Sequence, residues 1–367
     1  MSIAMRGIVD AALPRVIAVI VAIALGFLLL WAVDAPPVET VRLLIEGTLG
    51  SQQRFGDTLM VWVPLSLAAA SLVVTFSAGL WNIGVEGQIV AGAVATTFVA
   101  REVAAPPEML LPLMILAGAL GGMAWAALVG LLRVKGGVNE IFGGLGLDFV
   151  ATGMVIYLVI GPWKREGIAS TSGTQPFPPE AWFPTIAGLR VSPLAVGIAL
   201  VALVAVFLLL RGTRFGLRLR ATGKNPTAAA RLGVPTARYL MYSFLLAGAI
   251  AGLAGTVQVG ALQHKLVPSI SGGYGFLGIL VVLLAGYRSL WAGVIALFFA
   301  MIAVGSVQWQ LRLDLHSSLG GTFQGTLVLV TLLAGGWHAL RVRGRRTEAL
   351  GAANAAPDAG PKTGGSA

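Results

Sequence analysis

The chain has 367 residues, of which 57% are hydrophobic and only 11% charged, and its formal net charge is +10. A soluble globular domain cannot hide that much apolar surface from water, so the composition excludes an ordinary soluble protein and favours a polytopic membrane protein. The chain contains no cysteine, and its three histidines show no ligand spacing. The sequence therefore predicts no disulfide, no metal site, no cofactor and no catalytic residue.

Ten apolar runs are predicted to be transmembrane helices, because most of them are long enough to cross a hydrocarbon core of about 30 Å. The first run follows Arg15, but it is too long for a cleaved signal and is predicted to be retained. The fold class is thus an all-α polytopic membrane protein, with a transmembrane domain at residues 1–346 and a disordered cytoplasmic tail at residues 347–367. The predicted spans are residues 16–33, 58–80, 88–101, 110–132, 139–160, 193–211, 239–260, 276–288, 291–311 and 322–338.

The distribution of lysine and arginine predicts the orientation of the chain. With both termini in the cytoplasm, seventeen of the 25 basic residues fall in segments on the cytoplasmic side, the bias expected of membrane proteins. Orientation, rather than nucleic acid binding, therefore accounts for the net charge. On the outer side, residues 161–192 are rich in Pro, Gly, Ser and Thr, which predicts an irregular loop that carries Trp163 and Trp182 near the interface.

Two segments that lie five spans apart show a faint repeat. Residues 77–84 (SAGLWNIG) and residues 271–278 (SGGYGFLG) share Ser, Gly and Gly at equal offsets. Because five is an odd number, two such halves would face opposite ways across the membrane, as in transporters with inverted repeats. Chance similarity between glycine-rich segments is the alternative.

The segment after the sixth predicted span, residues 211–238, contains seven basic residues and no acid. Within it, Asn225 is a good N-cap, Pro226 suits the first helical position, and Gly233 is a typical terminator, so the sequence predicts a short helix over residues 227–232. A helix of two turns is not stable alone, which favours a role in docking to a cytoplasmic partner. The alternative is a basic loop that lies on anionic lipid headgroups.

Six polar residues in or beside the spans are candidates for a solute pathway. Carboxylates are costly in a bilayer and seldom face lipid, and irregular backbone survives there only where protein or water satisfies it. One alternative is that the polar groups near Trp81 hold a helix break together. Another is that one acid pairs with Arg133 or Lys135 at the cytoplasmic interface. The six candidates are Asn82, Glu86, Gln88, Asn139, Glu140 and Asp148.

Four motifs carry a resemblance to a known family. Residues 220–234 (RATGKNPTAAARLGV) resemble the coupling segment of ABC importer permeases of the ribose and branched-chain amino acid superfamily. Residues 80–93 (LWNIGVEGQIVAGA), 137–141 (GVNEI) and 273–286 (GYGFLGILVVLLAG) are similar to its nucleoside, or basic membrane protein, branch. The resemblance covers about Thr58 to Trp337. Residues 142–148 (FGGLGLD) depart from that branch, which leaves the substrate open.

The resemblance implies a permease subunit of an ATP-driven importer in a bacterial inner membrane, with nucleosides or purines as the expected solute. The resemblance also implies that the chain is not an enzyme, because a separate ABC ATPase subunit is expected to hydrolyse ATP. Further implied partners are a second permease subunit, as a non-identical paralogue, and an extracytoplasmic solute-binding lipoprotein. The residues implied to couple to the ATPase are Arg220, Gly223, Asn225, Pro226, Ala229, Arg231 and Gly233.

Three other functions stay open on the sequence alone. The chain is also compatible with an ABC permease for sugars or branched-chain amino acids. A secondary transporter driven by an ion gradient would use Glu86, Glu140 or Asp148 as its coupling carboxylate. A membrane-embedded enzyme is disfavoured, because no predicted span carries a His/Asp pair or a metal motif.

Overall fold

A computed structural model describes residues 35–165, 167, 172–316 and 318–333, together with Leu28 and Trp31. This described part of the chain is helical and contains no β-strand. Residues 35–324 form one compact unit, and a second unit comprises residues 1–34 and 325–367. The predicted tail at residues 347–367 lies outside the described residues, as does the predicted first span at residues 16–33 apart from Leu28 and Trp31.

The α-helices of the described residues are numbered here from α1 to α12 in chain order. A π-helical turn, Gln258–Gln263, continues α9, and a short 3-10 turn, Pro179–Ala181, lies in the loop before α6. The helices are α1 (Pro37–Leu49), α2 (Gln52–Ser77), α3 (Val85–Glu102), α4 (Pro107–Val134), α5 (Glu140–Ile160), α6 (Pro193–Gly212), α7 (Arg214–Lys224), α8 (Pro226–Arg231), α9 (Thr236–Val257), α10 (Tyr274–Leu284), α11 (Ser289–Leu313) and α12 (Leu319–Leu333).

Six helices of the described part are long and apolar enough to cross a membrane: α2, α4, α5, α6, α9 with its π-helical turn, and α11. The predicted spans from residues 58–80 onward each fall on a helix, the last one as far as Leu333. However, α10 and α12 are shorter, and α3 is interrupted by polar residues. Because these three helices do not meet the length and hydropathy of a simple span, the number ten stays a prediction.

The exposed surface of the long helices is apolar. Helix α6 has a mean hydropathy of 2.9, yet most of that apolar stretch is not buried within the protein. Its side chains Leu200, Val201, Val204 and Leu208 are all at least 46% exposed. A helix that is apolar on both its packed and its exposed faces is stable in hydrocarbon and unstable in water. The fold therefore presents the surface of a membrane protein.

The centre of the compact unit is built from α3, α4 and α9, which touch through glycines. A Cβ atom on Gly252 of α9 would lie 3.1 Å from the Cα atom of Gly122 of α4, and a Cβ on Gly92 of α3 would meet the backbone of Gly252. The hydroxyls of Thr96 and Thr256 form a hydrogen bond of 2.8 Å across the same junction. Close backbone approach of this kind is how helices associate where no hydrophobic effect draws them together.

Candidate functional site

The basic segment after α6 folds into two helices rather than one. The predicted helix after Asn225 is confirmed: Ala228 N–H donates to the Asn225 side chain at 2.9 Å, Pro226 takes the first position, and Gly233 follows with a φ of +81°. The helix α7 that precedes it was not predicted. Its N-terminus is capped by Thr213, whose hydroxyl accepts a hydrogen bond from Gly216 N–H at 3.0 Å.

Helix α7 has one face against the protein and one face open. Gly216, Leu219 and Thr222 are buried at a spacing of three residues, which places them on one side of the helix. The three arginines of α7, Arg214, Arg218 and Arg220, are exposed, and so is Leu217. The segment is therefore an amphipathic helix that packs one face against the protein and presents a basic surface on the other.

The seven residues implied to couple to an ATPase divide into a group packed against the protein and an exposed group. Ala229 is 3% exposed and is buried against the chain itself, and Gly223 packs against the end of α2. The other five coupling candidates are exposed, namely Arg220, Asn225, Pro226, Arg231 and Gly233. Beside them, the most exposed large apolar side chain of the segment is that of Leu232, at 84%.

A second set of predicted residues surrounds the break between α2 and α3 at residues 78–84. The side-chain amides of Asn82 and Gln88 form two reciprocal hydrogen bonds, of 3.2 and 3.1 Å, and both residues are fully buried. Glu86 accepts a hydrogen bond of 2.6 Å from Gly275 N–H in the first turn of α10. This bond joins the second repeat-like segment to the start of α3, two residues after the first segment. The equivalent glycines of the two segments, Gly79 and Gly273, both have a φ near +75°.

The other three predicted residues belong to the start and middle of α5. Asn139 caps the helix, because its side chain accepts a hydrogen bond from Ile141 N–H at 2.8 Å. Glu140 lies 3.1 Å from the Arg133 guanidinium, so the structure contains the ion pair that the sequence left open as an alternative. Glu140 also accepts a hydrogen bond of 3.4 Å from Trp81 N–H, which ties α5 to the break.

Asp148 is the polar residue of this group whose bonding is least complete. Its side chain is buried, and in the described part of the chain its Oδ1 atom has no hydrogen-bond partner. The indole nitrogen of Trp125 is also buried and unpartnered among those residues. Both groups border Gly87, where a Cβ atom would lie 2.9 Å from Trp125 Nε1 and 3.2 Å from Asp148 Oδ1. An unpaired acceptor and donor at one interior point suit contact with a polar molecule.

A cavity of about 450 Å³ opens on the loop before α6, where sequence reasoning predicted only irregular structure. Its walls include the carboxylate of Asp57, the guanidinium of Arg190 and the rings of Trp182 and His264, which stack with centroids 4.2 Å apart. Burial lowers the pKa of the His264 imidazole, so the ring is neutral at neutral pH. No local motif marks this cavity, because its walls come from distant segments.

Comparisons with known proteins give one family. The family described as "Branched-chain amino acid transport system / permease component" matches residues 55–332. The chain is 33% identical to the glucose ABC transporter permease protein TsgB13 of Haloferax volcanii, over 86% of this chain and 85% of that protein. It is 28% identical to the nucleoside ABC transporter permease protein NupB of Lactococcus lactis, over 80% and 83%. It is 26% identical to the guanosine ABC transporter permease protein NupP of Bacillus subtilis, over 84% and 89%.

Proposed function

Because the chain belongs to the family of branched-chain amino acid transport system permease components, we propose that it is the membrane-spanning subunit of an ATP-binding cassette importer. In this role it moves a small polar solute into the cytoplasm and makes or breaks no bond. The observation that carries the proposal is the capped pair α7 and α8, which presents the exposed Leu232 on a basic surface. An exposed leucine on a seated element suits insertion into a groove of a separate ATPase.

The solute that we propose is a nucleoside or purine base. Two of the relatives named above are nucleoside and guanosine permeases, and three motifs of this chain, at residues 80–93, 137–141 and 273–286, resemble the nucleoside branch. A sugar is the second candidate, because the 33% identical relative is a glucose permease. Uptake of labelled guanosine, challenged with an excess of unlabelled glucose or guanosine, separates the two candidates.

We place the solute pathway beside the break at residues 78–84. Five of the six candidates lie in or against this break, either directly or through Trp81 and Gly87, namely Asn82, Glu86, Gln88, Glu140 and Asp148. The sixth, Asn139, is exposed and caps α5 next to Glu140. Among them Asp148, whose Oδ1 atom is free of partners within the described residues, is the residue that we assign to solute contact. The reciprocal bonds of Asn82 and Gln88 suit a role in holding the break.

The membrane topology that we propose has ten spans, both termini in the cytoplasm and two inverted halves. Its support is the lysine and arginine distribution, the coincidence of helices with the predicted spans in the described part, and the shared left-handed φ of Gly79 and Gly273. The proposed location is a bacterial inner membrane. The proposed partners are an ABC ATPase, a second, non-identical permease subunit and an extracytoplasmic solute-binding lipoprotein.

The test of the function is reconstitution of the chain with its ATPase and permease partners in liposomes, with labelled guanosine and the binding protein outside. We expect uptake that requires ATP and continues when proton and sodium gradients are dissipated. Uptake that follows an ion gradient without ATP would contradict the proposal and favour a secondary transporter.

The docking surface is tested with the variant Leu232→Arg. We expect ATP-driven uptake to fall by about tenfold or more, because a charge would replace an apolar anchor at a protein interface. Membrane insertion is expected to be unchanged, since the side chain is 84% exposed. The control Leu232→Met keeps an apolar side chain of similar size and should transport normally. Equal uptake by Leu232→Arg and the unmodified protein would refute the docking role.

A further inference from the structure

The C-terminal end of α7 lies directly against the turn that ends α2. A Cβ atom on Gly223 would lie 2.8 Å from the backbone nitrogen of Gly79, and it would also meet the carbonyl oxygen of Ser77. In the opposite direction, a Cβ on Gly79 would lie 2.9 Å from the carbonyl oxygen of Gly223. The two segments therefore touch through backbone alone, with no side chain between them.

Two glycines are needed for this contact. Gly79 has a φ of +76°, a conformation that L-residues with side chains rarely adopt. Gly223 has ordinary backbone angles, and only the closeness of Ser77 and Gly79 excludes a side chain there. A contact between backbones has no rotamers to absorb a displacement, so it transmits movement more directly than a contact between flexible side chains.

On one side of this contact stands the proposed docking element. Asn225 both ends α7, through its N–H bond of 3.1 Å to Ala221 O, and caps α8 through its side chain. The two helices are thus joined at a single residue that belongs to the caps of both. A force applied to α8 therefore reaches Gly223 through two intervening residues.

On the other side of this contact stands the interior break. Gly79 is followed by Trp81, whose N–H binds Glu140 of α5, and by Asn82, which is bonded to Gln88 of α3. One turn later Glu86 binds the first turn of α10. A shift of the turn at Gly79 would therefore displace residues that are bonded to α3, α5 and α10.

We propose that the contact between Gly223 and Gly79 is the point at which movement of α7 and α8 enters the transmembrane part of the protein. Both glycines are positioning residues: they bind neither ATP nor solute, and they fix the docking element to the break that borders the solute pathway. The inference rests on the proposed function, because it needs an ATPase that pulls on α8.

The test measures solute uptake and ATP hydrolysis together in the reconstituted transporter carrying Gly223→Ala. A methyl group at residue 223 pushes α7 away from the turn, so we expect the ratio of solute moved to ATP hydrolysed to fall by about tenfold, within the usual range of coupling between sites. The control Gly212→Ala lies in the same basic segment, where a Cβ meets no atom within 4 Å. It is expected to keep the normal ratio. An unchanged ratio in Gly223→Ala, or an equal fall of uptake and hydrolysis, would overturn the inference.

A second measurement leaves both glycines intact. The chain has no cysteine, so Ser77→Cys with Lys224→Cys gives a single pair that a short bismaleimide can join. If the end of α7 and the turn move as one body, uptake survives this cross-link. Loss of uptake on cross-linking would show that the two segments slide past each other and would overturn the inference. Failure of the unmodified transporter to require ATP would instead refute the proposed function.

Discussion

At the scale of single residues, Glu86 shows how a carboxylate is accommodated inside this protein. Its side chain is 6% exposed, and it accepts a hydrogen bond of 2.6 Å from Gly275 N–H. This donor belongs to the first turn of α10, where the N–H groups have no partners within the helix. Glu86 therefore satisfies the N-terminus of one helix from the first turn of another.

Removal of this carboxylate is predicted to destabilise the protein. In Glu86→Ala, the buried Gly275 N–H at the start of α10 loses its acceptor, at a cost of about 1–3 kcal/mol. We expect a lower apparent Tm for the variant purified in detergent. The control Glu108→Ala removes an exposed acid from the first turn of α4 and should leave Tm almost unchanged. Equal shifts for the two variants would contradict the role assigned to Glu86.

At the scale of helices, the contact of α4 with α9 depends on glycines, which have no side chain to hold the two backbones apart. A Cβ atom on Gly252 would lie 3.0 Å from the carbonyl carbon of Gly118 and would meet its oxygen, and Gly122 is equally close. Thr96 of α3 lies between them: its hydroxyl is bonded to the Thr256 hydroxyl of α9 at 2.8 Å and to the Met114 carbonyl oxygen of α4 at 3.3 Å. A methyl group at this crossing must therefore displace a whole helix.

The crossing predicts opposite outcomes for two similar substitutions. Gly252→Ala overpacks the junction at a cost of about 1–3 kcal/mol, so the apparent Tm should fall. Gly197→Ala, in the second turn of α6, meets no atom within 4 Å. Because alanine has the higher helix propensity, Tm should stay the same or rise. Thermal unfolding of both variants, followed by circular dichroism, checks the pair. A fall in Gly197→Ala as large as that in Gly252→Ala would mean that crowding is not the cause.

The helices also show which features the sequence could predict. The start of α8 was predictable, because Asn225 and Pro226 are local signals that need no tertiary contact. Helix α7 was missed, because its arginine-rich sequence has no apolar run. The helix is capped by Thr213, packs Gly216 against the end of α6 and buries Leu219. The bond from Gly275 to Glu86 joins residues that are 189 positions apart. No spacing rule in a single sequence reports such a contact.

At the scale of the whole molecule, the opposite ends of the bundle differ in chemistry. The segment that carries α7 and α8 contains seven basic residues and no acid. The loop before α6 instead presents Trp182 and Arg190 to a cavity whose wall also includes Asp57 of α2. An excess of lysine and arginine on one side is the feature that fixes orientation in a membrane. The cavity is therefore expected to face the outside and α8 the cytoplasm.

This orientation predicts the labelling of single cysteines by a membrane-impermeant maleimide. The absence of natural cysteines removes any background. Ile186→Cys, at a position 45% exposed in the loop before α6, should be labelled in intact spheroplasts. Leu232→Cys should be labelled only after the membrane is made permeable. The reverse pattern would invert the topology, and labelling of both sites in intact cells would rule out a membrane between them.

The π-helical turn at Gln258–Gln263 changes the phase of the polypeptide that follows α9. Such a turn closes its hydrogen bond over one residue more than an α-helical turn, and one residue corresponds to roughly 100° of rotation about the axis. The α-helical period counted forward from Tyr239 therefore predicts the wrong helix face for Ala261 and Leu262. Both residues wall the cavity beside Trp182. Excision of a single residue here would restore the regular winding and rotate Ala261 and Leu262 away, so this part of the chamber wall depends on one additional amino acid.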